Sequence, residues 1–380
     1  TYTASQNGEH PTHFVSVRSL VEFVLQAGDL TPGGFQRRDR AQLGTQGHKQ
    51  VQRSRPEGYE TEVEVSYQAK DSDPPIEVRG RIDGLYPNTE PVIIEEIKTT
   101  TLSLDLVRED YNPLHWAQAQ CYAYLYTQQN NQRGATVRLT YYHIDSQAEK
   151  SFERSFTQAE LDAFFNNLVT PYLAWFRKIL ALQARRDISI QQFDFPYEHY
   201  RTGQREMAVA IYKTIRAQDR LYVQSPTGVG KTIAALFPSA KALGQGLAAK
   251  IFYLTAKTSG RLIAEKTLDD MRQAGLHLQS VTLTAKEKIC FCPPVECDPE
   301  RCIYARDYFN KAKRALEEID HHQAFTRPVI EELAQKYQLC PFEFSLDLAL
   351  WVDCIICDYN YAFDPRVYVH RFFDLNTEPY

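Results

Sequence analysis

The chain has 380 residues, 43% of them hydrophobic and 24% charged, a globular composition that excludes wholesale disorder and allows two domains or one large domain with an insertion. Its net charge of −5 excludes a global basic field, so any nucleic-acid contact has to be local. No apolar run approaches a membrane span and no signal peptide is legible, which points to a cytoplasmic protein without a membrane partner.

Residues 13–30 (HFVSVRSLVEFVLQAGDL) have helical apolar spacing, and TPGG at 31–34 stops them. The short basic runs Arg37, Arg38, Arg40 and Lys311, Lys313, Arg314 read as solvated faces. Residues 61–67 alternate as a strand. Two further strand-like runs, IEVRGRIDGL and PVIIEEIKTT, follow the turn signal DSDPP. LHWAQAQCYAYLYT (114–127) reads as a helix, TVRLTYYHI (136–144) as a strand, and 158–185 as helical. A boundary is expected near residue 190. Beyond it, LYVQS reads as a strand running into a loop, then a helix from Lys231 and a strand at KIFYLTA, the βαβ opening of a RecA-like or Rossmann-like domain.

In the amino-terminal block the chemistry-bearing residues are Asp83 and Glu96-Ile97-Lys98. Metal-dependent phosphodiester hydrolysis needs carboxylates to hold Mg²⁺ or Mn²⁺ and a cation near the attacking water. Alternation along VIIEEIKTT puts Glu96 and Lys98 on one face and Glu95 on the other, with Asp83 across the hairpin. On its own this pattern is shared by many exposed strands.

In the carboxy-terminal block QSPTGVGKT (224–232) is a phosphate-gripping loop. Gly228 and Gly230 let backbone N–H groups turn inward, Lys231 can reach the β- and γ-phosphates, and the Thr232 hydroxyl can ligate Mg²⁺. Ser225 stands where the motif expects its first glycine. ATP or GTP is the expected ligand.

Five of the eight cysteines fall within 290–340: Cys290, Cys292, Cys297, Cys302 and Cys340. So dense a cluster amid Pro, Glu and Asp reads as thiolate ligands in a reducing compartment, for an iron–sulfur cluster or for zinc. Cys354 and Cys357 form a CxxC inside the apolar run WVDCIICDYN and read as core.

Two family resemblances rest on these residues. A P-loop, clustered cysteines, CPFEFS and DYNYAFDP together resemble the XPD/DinG group of superfamily 2 DNA helicases over about 191–380. The resemblance implies a [4Fe–4S] cluster on Cys290, Cys297, Cys302 and Cys340, with Cys292 the alternative to Cys290. It also implies 5′→3′ translocation on single-stranded DNA using ATP, in DNA repair or processing. FPYEHYRTGQREM resembles the adenine-reading Q motif, with Arg201 and Gln204 as base-side contacts, and TAKT (255–258) resembles the next motif, which touches the DNA backbone. No DExH sequence occurs, nor a second motor domain, so the chain is expected to bind ATP but hydrolyse it poorly.

Residues 15–185 resemble RecB-type PD-(D/E)XK nucleases, through GTQGH, Asp83, Glu96-Ile97-Lys98 and HWAQAQCYAYL. That resemblance implies metal on His48, Asp83, Glu96 and the Ile97 carbonyl, Lys98 supporting the nucleophile, and Gln118 and Tyr122 completing the site. Gln120 and Tyr124 repeat the same spacing.

The expected fold is therefore α/β. A PD-(D/E)XK mixed sheet with flanking helices (1–190) precedes a RecA-like motor domain (191–289). A helical iron–sulfur domain (290–345) interrupts that motor domain, which resumes at 346–380. The rival reading is a nucleic-acid-binding module with an inactive nuclease-like scaffold and structural zinc.

Overall fold

The computed structural model describes residues 13–30, 37–69, 72–292 and 297–364; of 37–43 it describes the backbone only. The TPGG stop at 31–34 and the side chains of Arg37, Arg38 and Arg40 lie outside the described residues. The described residues of 13–26 and 37–177 form one compact unit, and those of 27–30 and 178–364 form another.

The first unit is a mixed α/β layer structure with one six-stranded sheet. Its elements are β1 (His13–Ser16), α1 (Val17–Leu25), α2 (Arg37–Arg53), β2 (Glu60–Ala69), β3 (Ile76–Tyr86), β4 (Val92–Thr100), α3 (Pro113–Asn130), β5 (Gly134–His143) and β6 (Glu149–Thr157). α4 (Gln158–Gln192) closes the unit and runs on beyond it. The helix expected over 13–30 begins instead as a strand. His13–Ser16 pair in parallel with Ile76–Arg79, and Ser16 then caps α1, its Oγ accepting the Ser19 N–H at 3.0 Å.

β3 is the axis of this sheet. β2 follows one of its edges from Ile76 to Leu85. The other edge is shared: β1 holds 76–79 in parallel, and β4 holds only Gly84, Leu85 and Tyr86 in antiparallel. β4 then leaves β3 and continues to Thr100 against β5 alone. Residues 80–83 therefore have no ladder partner on that edge, and Asp83 stands in the fork.

α2, not expected from its polar composition, packs against β4 by close approach. A Cβ on Gly47 would stand 2.4 Å from Thr99 Cγ2, so only glycine fits there. Val51 joins Ile97 and Tyr142 in a small buried cluster. Just past α2, Arg55 donates to both oxygens of Glu95 at 3.1 and 2.7 Å and pairs with Glu149 at 2.8 Å. Tyr59 (2.8 Å) and Thr140 (2.6 Å) also donate to the fully buried Glu95.

The second unit carries a four-stranded parallel sheet in the order β7-β10-β8-β9. Its elements are α5 (Gln204–Ala217), α6 (Lys231–Leu243), β7 (Ile251–Leu254), α7 (Thr258–Gln273), β8 (Ser280–Thr282), α8 (Lys286–Ile289), α9 (Tyr308–Leu316), β9 (Ala324–Phe325), α10 (Arg327–Tyr337), α11 (Pro341–Ala349), β10 (Cys354–Cys357) and α12 (Asn360–Phe363). Leu236, Leu268, Met271, Leu278 and Ile356 anchor its core. Two expectations change here. The segment 290–345 is mostly helical but contributes β9 to the sheet. LYVQS forms no strand: Tyr222 is 91% exposed, and among the described residues nothing pairs with it. Apolar alternation becomes a strand only where a ladder partner takes up the backbone groups.

Replacing Arg55 with Met should destabilise the first unit by about 3–5 kcal/mol, because it strands a buried carboxylate. Urea unfolding of the variant checks this, and Arg55→Met with Glu95→Gln should recover much of the loss.

Candidate nuclease site

The fork between β3 and β4 collects the acidic residues. Asp83 Oδ2 accepts the Ile97 N–H at 2.8 Å, where the next ladder bond would otherwise have come from β3 backbone. Its Oδ1 lies 3.4 Å from His48 Nδ1, carried by α2. One turn further along α2, Gln52 Nε2 donates to the Asp83 carbonyl at 2.8 Å and to Glu62 at 3.0 Å. Glu62 itself takes a left-handed φ of 55° opposite Asp83, between the paired residues Thr61 and Val63 of β2.

β4 supplies the second half. Glu96 pairs with Lys98 Nζ at 2.5 Å, and Lys98 also donates to Gln118 Oε1 at 2.9 Å. Gln118 Nε2 donates to Tyr122 Oη at 3.1 Å, one turn along α3. α3 starts cleanly for this purpose: Asn112 caps it by accepting the Leu114 N–H, with Pro113 at its first position. The alternative pair on α3 is excluded at this spot, because Tyr124 stacks on Phe165 at 4.0 Å in the core.

The electrostatics follow from burial. Glu96 is 2% exposed, and burial pushes its carboxyl up to about 7, with Lys98 opposing and the Asp83 charge reinforcing the shift. Burial alone would depress His48, yet the bonded Asp83 carboxylate and nearby Glu96 raise it on balance. Burial also raises the Tyr122 phenol, which stays protonated.

His48, Asp83, Glu96, Lys98, Gln118 and Tyr122 thus form one connected cluster. The buried Glu96 carboxylate and the partly buried Asp83 carboxylate, with one lysine and one imidazole beside them, make a donor set of hard oxygens suited to Mg²⁺ or Mn²⁺. Among the described residues no three acidic, histidine or cysteine side chains already converge on one ligating point. The residues missed in the sequence were Gln52, Arg55 and Tyr59, which steer α2 and Glu95. The one signal for them was Glu95 itself, a carboxylate in an apolar strand that needs a buried cation.

A model of the PD-(D/E)XK nuclease superfamily matches residues 17–359. The chain belongs to the PD-(D/E)XK nuclease superfamily. Superfamily membership makes a nuclease-type hydrolase acting on nucleic acid the functional class, and Mg²⁺ or Mn²⁺ its usual metal. No curated protein matches. Among solved structures, SSO0001 is 18% identical, with a TM-score of 0.28 over 43% of this chain and 78% of its own. An XPD helicase is 17% identical, with a TM-score of 0.33 over 47% of this chain; the match spans 31% of the helicase's length. Likenesses at these scores carry no argument. No helix among the described residues is long and apolar enough to cross a membrane.

In the second unit, the residues expected to grip phosphate are also brought together. Gly228 and Gly230 hold φ values of 85° and 80°. Lys231 Nζ folds back on the Ser225 and Pro226 carbonyls at 3.1 and 2.7 Å. Gln204 donates to the Gly230 carbonyl at 3.2 Å and accepts the Arg201 N–H at 3.0 Å; the Arg201 guanidinium donates to the Gly228 carbonyl. Thr232 Oγ1 lies 3.4 Å from Tyr253 Oη. TAKT leads directly into α7, which starts at Thr258.

The five clustered cysteines are all free thiols. Cys292 and Cys302 sulfurs are 3.4 Å apart, and the Cys290 sulfur lies 3.3 Å from the Cys292 carbonyl. Cys297 takes a hydrogen bond from Lys286 and also acts electrostatically on Cys292 and Cys340. Burial pushes Cys292 up to about 11 and Cys340 up to about 12. Cys354 and Cys357 are buried in β10, where burial pushes both thiols up to about 12.

Adding Mn²⁺ at about a hundred times its dissociation constant should stabilise the protein by about 2.7 kcal/mol, a rise of several degrees in Tm. Glu96→Gln should lose that rise in a thermal-shift measurement while keeping its fold by circular dichroism.

Proposed function

We propose that this chain is a metal-dependent DNA nuclease joined to an ATP-binding, iron–sulfur helicase motor of XPD/DinG type. The observation that carries the nuclease part is the Asp83–Glu96–Lys98 cluster at the fork. Superfamily membership gives it a chemical class.

In this reading His48, Asp83, Glu96 and the Ile97 carbonyl would hold one divalent cation. When bound, such a cation would supply acidification of an attacking water and neutralisation of charge that develops on the phosphate. Lys98, held between Glu96 and Gln118, would donate a hydrogen bond to that water and orient it. Gln118 and Tyr122 fix the lysine. Tyr122, kept protonated, can donate to a phosphate oxygen.

The motor part is supported by the P-loop with its two left-handed glycines and by Gln204 and Arg201 set against it. Lys231 and Thr232 would meet the phosphates and Mg²⁺, and Arg201 and Gln204 the adenine edge. Cys297, Cys302, Cys340 and either Cys290 or Cys292 would hold the [4Fe–4S] cluster. The RecA-like identity of the parallel sheet, preference for single-stranded DNA, 5′→3′ movement and a cytoplasmic place in DNA repair belong to the same proposal.

Glu96→Ala and Lys98→Ala should each lower Mn²⁺-dependent cleavage of DNA by at least about a hundredfold, read on a labelled oligonucleotide. An unmutated chain that does not cut favours the inactive-scaffold reading, and cutting that survives both changes removes the site assignment. Lys231→Ala should lose at least about tenfold in ATP affinity, measured by fluorescence anisotropy. Anaerobically purified protein should be brown and contain iron, and Cys297→Ser should lose both; a colourless zinc protein would end the cluster proposal.

A further inference from the structure

Beyond Lys98 the site continues outward as a row of rings. Tyr141 of β5 is the ladder neighbour of Lys98 and is 1% exposed. His115, three residues before Gln118 on α3, lies tilted against Tyr141 at 5.7 Å, its Nδ1 3.0 Å from the phenol oxygen. Tyr111 meets the same ring edge-to-face at 5.7 Å and 81°. Unlike the other two, Tyr111 is 45% exposed, and it is fixed from behind. Its N–H donates to the Arg108 carbonyl at 3.1 Å, and the next residue, Asn112, caps α3 and contacts His115 at 3.1 Å. A strand spacing plus one ring contact puts Tyr111 roughly 10 Å from the Lys98 strand.

The charges beside this ring are balanced and build no phosphate site. Glu109 is held by Arg154 at 2.6 Å, and Asp110 and Arg108 are both exposed. An anchored aromatic ring among balanced charges suits the uncharged face of a base instead. Only an unpaired nucleotide can present that face, since a duplex keeps its bases stacked and shows edges and phosphates.

We propose that Tyr111 stacks on an unpaired base of the strand being cut, a nucleotide or two from the scissile phosphate, so that the first unit takes single-stranded nucleic acid. This rests on the nuclease reading of Asp83, Glu96 and Lys98. Tyr141 and His115 are positioning residues that hold the ring.

The test uses the full chain with Ca²⁺ in place of Mn²⁺ and an oligothymidylate carrying 5-iododeoxyuridine, irradiated and mapped by mass spectrometry. The expected adduct is on Tyr111, is retained by Tyr111→Phe and is lost in Tyr111→Leu. With Mn²⁺, Tyr111→Leu should raise KM for oligothymidylate about five- to a hundredfold, with the loss in KM rather than kcat. On an oligomer of base-less spacers the two chains should share one KM. Adducts elsewhere with none on Tyr111, or no adduct at all, overturn the proposal, as does a KM within twofold of the unmutated value. If the unmutated chain fails to cut, the nuclease reading falls while the adduct still decides the stacking.

Discussion

Most of the first unit depends on one strand edge being asked to serve two partners. β3 gives 76–79 to β1 in parallel and 84–86 to β4 in antiparallel, and no strand can occupy the interval. The backbone groups exposed there have to be satisfied some other way. Asp83 does this for β4 by accepting the Ile97 N–H with its carboxylate. An acidic side chain is thereby fixed in a cleft between two diverging strands, and the same hydrogen bond aligns β4 so that Glu96 and Lys98 follow at once. The fork is a consequence of topology, and the cluster is a consequence of the fork.

Within β4, Glu95 and Glu96 show how two adjacent buried carboxylates diverge in role. Alternation sends them to opposite faces. Glu95 meets a guanidinium and two hydroxyls, so both its oxygens are hydrogen-bonded and a cation stands against it. That bond set ties β4 to Arg55 just past α2, while Gln52 ties α2 to the Asp83 carbonyl. Glu96 has one lysine and lies near a second carboxylate, and burial leaves its charge expensive. A carboxylate fully paired is a fastener. One left short of positive charge is the place where a cation gains most.

The sequence made some of this legible and hid the rest for physical reasons. Period-two spacing separated Glu95 from Glu96 and Lys98, and period-3.6 spacing put Gln118 and Tyr122 one turn apart, because both follow from local geometry. Which helical register faced Lys98 was not local: Tyr124 is taken into the core by Phe165, from another element. α2 was hidden because its residues are mainly polar and its packing relies on Gly47, an absence of side chain that no hydrophobic pattern records. β1 was hidden because four residues beside a helix acquire strand character only from β3. LYVQS failed the other way: its composition suits a strand, and the described residues offer it no partner.

The two lysines singled out by sequence differ in a way that bears on what each can do. Lys98 is charge-matched by Glu96 at 2.5 Å and oriented by Gln118, so its ammonium brings little net attraction to an approaching anion. It is suited to aligning a water and handling a proton. Lys231 touches only neutral carbonyls of its own loop, and no carboxylate pairs with it among the described residues. Its charge is uncompensated, at the N-terminus of α6, where the helix dipole adds to it. An anion placed there could replace two weak carbonyl contacts with charge-assisted ones. The same residue type thus stands in two electrostatic settings, and the variable that separates them is whether a carboxylate lies beside it.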